Sequence, residues 1–406
     1  MPVPTTLIYP VRWLVVAVAC ACIVLPSYAG EVRVDSRAEL LSALARAEPG
    51  TTIRIGSGVY DGGLHLTALH GEPGSPITVS AADPADPPVL RGGTNGMQLS
   101  RVSHVVLEHL VIEGATSNGL NIDDGGEIDE PSHDVVLRGL VVRDVGPRGN
   151  RDGIKLSGVV RLRVEDCELT DWGDGGSGVD MVGCHDGVVV GCVFRRTGSG
   201  AQGSGVQLKG GTSDVRVLGC RFENAGARAV NAGGSTGRVF FRPALELEGN
   251  AEARDLEVAG CVFVGPGTPV AFVGVDGARV HHNTMVGPTP WAVRILQESA
   301  AEDFVPCRDG AFTDNLVVFG GEGYNRAVNV GPGTSPESFT FARNWWYNAS
   351  APGDSRPRLP VAETGGVYGR DPGLNDAGGV VAGSAASEVG AHAWDGEASG
   401  QERATP

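Results

Sequence analysis

The sequence predicts an all-β chain folded as a single-stranded parallel β-helix, a solenoid of stacked coils with a short capping helix at its N-terminal end. Three observations carry this. The 406 residues include 62 glycines and only 6% aromatics, a composition suited to many short strands joined by tight turns. Nine segments share one alternating apolar template: VLEHLVI (106–112), VLRGLVV (136–142), RVEDCEL (163–169), VVVGCVF (188–194), RVLGCRF (216–222), EVAGCVF (257–263), RVHHNTM (279–285), AFTDNLV (311–317) and TFARNWW (340–346). Aligned, they place Leu110, Leu140, Cys167, Cys192, Cys220, Cys261, Asn283, Asn315 and Asn344 at one position, mostly 22 to 32 residues apart. A second strand follows in each repeat, as in GLNID (119–123), GIKLS (153–157), GVDMV (178–182), GVQLK (205–209) and AVNAG (229–233). Such coils cannot bury an apolar face alone, so they stack and share one core.

Each element follows in order. Arg12, the apolar run Trp13 to Leu25 and SYAG (27–30) form a signal peptide, residues 1–29, with cleavage after Ala29. A retained anchor is the alternative, but the run is shorter than the roughly 20 residues that span a bilayer. A lipobox at Cys20 fits less well, because the apolar run continues past it. The mature chain is therefore expected outside the cytoplasm: secreted, periplasmic or on the cell surface, with no membrane association after cleavage. DSRAELLSALARAEPG (35–50) carries a capping box, Ser36 to Glu39, and a Pro-Gly stop. This helix plugs the open end of the solenoid. TIRIGSGVY (52–60) and PITVSA (76–81) supply the first strands, and the β-helix occupies residues 30–347. Residues 348–406 form a C-terminal cover, with DPGLNDAGG (371–379), and a disordered tail.

The net charge of −16 becomes −17 when Arg12 leaves. That balance excludes nucleic acid as a partner, because affinity for phosphate rests on clustered Lys and Arg. A monomer is expected. Six cysteines remain in the mature chain: Cys167, Cys184, Cys192, Cys220, Cys261 and Cys307. Four of them stack in register, where parallel side chains do not reach the near-perpendicular disulfide torsion, so free thiols are expected. Cys184 and His185 lack the partners a zinc site needs.

Alternation directs one residue of each second strand away from the core. Down successive coils this stripe reads Asn121, Lys155, Asp180, Gln207, Asn231, Ala271, Arg294 and Asn329, and the next outward position adds Asp123, Ser157, Val182, Lys209 and Gly233. Lys155 and Lys209 are then two coils, roughly 10 Å, apart, a span for a few sugar units. A polar face is also what any solvated strand shows. Asp152, Asp174 and Asp180 converge at Gly-rich turns as a possible calcium site, although aspartates serve such turns for their own sake. Between Cys220 and Cys261 an insertion, GRVFFRPALELEGNAEAR (237–254), is a candidate cleft wall.

The opening VDSRAELLSALARAEPGTTIRIGSGVYDGG (34–63), with GEPGSPITVSA (71–81), resembles right-handed β-helix proteins, in particular the alginate lyase and chondroitinase B family of polysaccharide lyases. The match covers about the first fifth of the mature chain; later coils match only as generic repeats. The resemblance implies a right-handed solenoid acting on a uronate-containing polysaccharide, by lyase or C5-epimerase chemistry. A Lys base and an Arg acid would sit on successive coils, with Asn, Glu or calcium neutralising the uronate carboxylate. Lys209 matches the basic strand-end position, while Gly233 stands where the Arg is implied. The expected roles are Lys209 as base, Arg228 or Lys155 as acid or electrostatic partner, and Gln207 and Asn231 as carboxylate binders. Asp180, His185, Asn121 and Arg294 complete the expected substrate-binding set. Two alternatives stand beside this reading: a non-catalytic glycan-binding β-helix, and a hydrolase using Asp152 and Asp180 as paired carboxylates.

Overall fold

The computed structural model describes residues 30–198, 202–375 and 377–393. The expected signal peptide and the end of the expected tail lie outside the described residues. Three parallel sheets of 12, 10 and 12 strands run the length of the molecule, and successive coils add one strand to each. The coil spacing is visible in Phe194, Phe222 and Phe263, whose stacked rings stand 4.8 Å apart, centroid to centroid. One apolar core runs from Val34 to Trp346. This is the parallel β-helix expected from the repeats.

The N-terminal helix spans Arg37–Leu44, shorter than its 16-residue sequence pattern, and buries Leu40, Ala43 and Leu44 against the first coil. The Ser36 hydroxyl accepts from Glu39 N at 3.2 Å, and the Glu39 carboxylate reaches back to Asp35 N at 2.8 Å.

The repeated template has a backbone cause. The residue just before each stacked position is left-handed, with φ between 51° and 64°, from His109 and Gly139 through Asp166, Gly191, Gly219 and Gly260 to His282, Asp314 and Arg343. That turn sends the chain from the first sheet into the third and directs the next side chain inward. All six described cysteines are free and buried. Cys192 Sγ, for example, donates to Val164 O of the preceding coil at 3.5 Å. Asn283, Asn315 and Asn344 extend the stack with serial amide bonds of 2.9 to 3.1 Å. Asn344 Nδ2 donates to Glu363 of the C-terminal segment at 2.8 Å. The chain then folds back along the third sheet, where Ala391 N donates to Thr284 Oγ1. The second sheet is left open.

Candidate active site

The second sheet carries the cleft, a cavity of about 900 Å³. Of the predicted stripe, Asn121 and Lys155 line it while Asp180, Gln207 and Asn231 do not, and the stripe pairs in the predicted register: Asn121 with Lys155, Lys155 with Asp180, Asp180 with Gln207, and Gln207 with Asn231. Asn121, Asp123, Lys155, Ser157 and Lys209 line the cleft; His65 and Gln98 contribute from earlier coils, and Gly237, Phe240 and Arg242 from the insertion. The insertion is therefore a cleft wall, as its sequence suggested.

At the centre two lysines converge on one carboxylate. Lys155 Nζ donates to Asp180 Oδ2, and Lys209 Nζ lies 3.6 Å from Asp180 Oδ1. Asp180 points away from the coil core yet is only 1% exposed, because long lysine side chains from the coils on either side cover it. Its Oδ1 accepts no hydrogen bond, a situation that ordinarily costs about 1–3 kcal/mol. Beneath the pair lies Asp152, also buried, with Oδ2 3.9 Å from Lys155 Nζ and Oδ1 accepting from Ser177 N at 2.8 Å. Burial, followed by the negative charge of Asp180, pushes the Asp152 carboxyl up to about 7. For Lys155, burial opposes the charge, but the two carboxylates prevail and hold the ammonium above its ordinary value. Lys209 also donates to Gln207 Oε1 at 3.3 Å.

The wall is locked to the floor by a buried ion pair. The Arg242 guanidinium forks Asp124, with Nε on Oδ2 and Nη2 on Oδ1 at 2.9 Å, across 118 residues of sequence. Corner glycines make the space. A Cβ on Gly183 would stand 2.4 Å from Arg242 Cβ, and one on Gly158 would stand 2.3 Å from Asp124 Oδ2; both backbones are left-handed as well. Arg242 is the main participant that the sequence reading missed, and those glycines were its available signal.

No protein-family model matches the chain, and no curated protein matches it significantly. Solved structures do match. An alginate lyase from Paenibacillus sp. is similar over 75% of this chain and 97% of that one, with 16% identity and a TM-score of 0.51. The chain has the fold of a parallel β-helix polysaccharide lyase. A mannuronan C-5 epimerase A-module from Azotobacter vinelandii (13% identity, 72% and 86% coverage, TM-score 0.49) and a pectate lyase (13%, 74% and 73%, 0.47) are also similar.

On this β-helix the other expected residues fall in three places. Arg228 and Arg294 lie outside the cleft lining, on later coils. Arg228 pairs with Glu298 at 2.6 Å and donates to Asn231 Oδ1 at 3.2 Å, and Asn231 is buried. Arg294 stacks on Trp291 at 4.2 Å and donates to Asn329 at 3.1 Å. Its guanidinium is depressed by burial and by the charge of Arg228. His185 is not in the cleft either: it starts the strand His185–Val190 of the first sheet, with Nδ1 3.0 Å from Ser213 Oγ. Burial lowers its imidazole below the ordinary value. Of the three aspartates weighed for calcium, Asp174 accepts from Gly149 N, 25 residues earlier in the chain, at 2.6 Å, and the Lys155 ammonium stands between Asp152 and Asp180. These three do not form a ligand cluster among the described residues. Lys155 supplies the positive charge there.

Proposed function

We propose that the protein is an exported, monomeric enzyme that acts on a uronate-containing polysaccharide, as a lyase or C5-epimerase, by abstracting the proton at C5. The observation that carries this reading is the convergence of Lys155 and Lys209 on buried Asp180 in an open cleft. Abstraction next to a carboxylate needs a base and a positive charge to hold the enolate-like intermediate. Lys155, kept protonated by two carboxylates, suits the second role. Lys209 suits the first: it reaches the cleft, and Lys155 already compensates the carboxylate beside it. Asn121, which lines the cleft, is assigned to bind the substrate carboxylate or hydroxyls, and Gln207, which does not line it, to hold Lys209 through its Oε1. Arg228, engaged by Glu298, is assigned no proton transfer. In this reading Lys155 supplies the charge that calcium would bring to Asp152 and Asp180.

The paired-carboxylate hydrolase is disfavoured by burial. Asp152 and Asp180 are 2% and 1% exposed, beneath the lysines, and neither lines the cavity where a glycosidic oxygen would lie.

The test is to incubate the mature protein with alginate, pectate, chondroitin and heparinoid substrates, with and without calcium, and to follow the ultraviolet absorbance of the unsaturated uronate. Epimerisation is read separately, as solvent deuterium entering C5. Lys209→Ala should lower turnover by about 10²- to 10⁴-fold, the usual worth of a general base. Wild-type turnover in that variant, or neither signal from any substrate, would refute the proposal.

A further inference from the structure

Outside the cleft, two adjacent coils bring a second group of chemically active side chains together. The strands Ser103–Glu108 and Ser132–Arg138 of the first sheet pair with Ser103 opposite His133 and Val105 opposite Val135. That register sets His104 beside Asp134. Both residues have left-handed backbones, with φ of 50° and 54°, a conformation uncommon for non-glycine residues. His133 Nδ1 lies 2.6 Å from Asp134 Oδ2, and His104 Nε2 lies 3.6 Å from the same oxygen. The two imidazoles meet edge to face, with centroids 5.3 Å apart. One ligand atom from each of the three residues falls within 4.8 Å of the others, and this is the one such grouping among the described residues.

We propose that His104, His133 and Asp134 form a binding site for a divalent transition-metal ion of the zinc class, clamping one coil to the next. Two imidazoles and a carboxylate select such an ion over calcium, which takes oxygen ligands. Ligands about 2.0–2.2 Å from a tetrahedral zinc stand roughly 3.3 Å apart. The His104–Asp134 separation, 3.6 Å, is already close to that, His133 would withdraw from Asp134 by less than an ångström, and the two imidazoles would close from within 4.8 Å of each other. All three side chains are partly exposed, so an ion can enter and water can take the fourth position.

Arg161, on the next coil, fits the scheme as an outer partner. Its Nε donates to Asp134 Oδ1 at 2.9 Å and its Nη2 to Oδ2 at 2.7 Å. The ion would replace the second contact while the first continued to orient the carboxylate, as groups behind metal ligands commonly do. The Arg161 side chain is more than half exposed, so Nη2 can turn to water while Nε stays on Oδ1.

The experiment titrates zinc into the whole mature chain against a chromogenic chelator and, in parallel, records the ligand-field spectrum of cobalt(II) as a substitute ion. One equivalent should bind, a tetrahedral cobalt band should appear, and excess calcium should displace neither. His104→Gln and His133→Gln should each weaken zinc binding at least about 10-fold and remove the band, with unchanged far-ultraviolet circular dichroism reporting an intact solenoid. Less than a tenth of an equivalent bound at 0.1 mM free zinc would overturn the proposal. So would stoichiometric binding that survives both substitutions together.

Discussion

Asp152→Asn is the sharpest probe of the buried charge network. In the folded protein burial and the Asp180 charge raise the Asp152 carboxyl from 3.8 to about 7. A shift of that size corresponds to about 4 kcal/mol at 1.36 kcal/mol per pH unit. The sign follows from protonation in the two states. Below about pH 4 the carboxyl is protonated whether folded or unfolded, and its burial carries no charge penalty. As the pH rises, the unfolded chain ionises first, and the contribution of the neutral buried form is lost progressively up to and through pH 7. Asparagine cannot ionise, and its Oδ1 can still accept from Ser177 N, as Asp152 Oδ1 does at 2.8 Å. Lys155 keeps Asp180 as partner. The variant should therefore gain stability relative to wild type between pH 4.5 and 8, by an amount approaching 4 kcal/mol. Urea midpoints at a common slope, measured for both proteins across that range, give the difference directly. Titrating groups remote from Asp152 cancel in it. A difference that does not vary with pH would show that Asp152 is not a buried carboxyl under the charge of Asp180, and the description of the network would fail.

Three further outcomes follow from other parts of the molecule. Arg242→Ala leaves Asp124, 1% exposed, as an unpaired buried charge, which should cost about 3–5 kcal/mol. It should also free the wall, so limited proteolysis near Leu247, 96% exposed, should accelerate while the coils resist. All six described thiols are buried, and burial raises Cys184 to about 12, Cys307 to about 11 and Cys220 well above the ordinary thiol range. Ellman's reagent should accordingly find almost no reactive thiol in the native chain at pH 8, and the six of residues 30–406 after denaturation. Asn315→Leu should destabilise by about 2–4 kcal/mol, measured as a denaturation midpoint, because it removes the acceptor for Asn283 N and the donor to Val280 O in a buried stack.

Much of this architecture is legible in the sequence because a β-helix repeats its geometry. Every coil must return to the same inward position, so the Leu–Cys–Asn series reports the register of all three sheets, and the alternation beside it predicts which side chains share a stripe. Lys155, Asp180, Gln207 and Asn231 pair as that logic requires. The corner chemistry is legible only in part. Glycine before the stacked cysteine declares a left-handed turn, but aspartate, histidine and arginine occupy the same conformation on other coils and carry no comparable signal.

The burial of the site was not legible, for a physical reason. Alternation says whether a side chain leaves the core; it does not say what then lies on top of it. Asp180 leaves the core and is nevertheless covered, because lysine stems are long enough to reach across a coil spacing of 4.8 Å and fold over the carboxylate between them. His185 fails for the converse reason. It follows Asp180 by five residues, but the left-handed Gly183 between them turns the chain onto the first sheet, so nearness in sequence becomes separation across a corner. That same turn, with Gly158, makes room for Arg242 to reach Asp124 from an insertion more than a hundred residues away. A contact of that range has no period to betray it. What sequence does preserve is the space the contact needs, and glycines that follow strand ends on adjacent coils, as Gly158 and Gly183 do, are where such a long-range lock on a β-helix cleft should be sought.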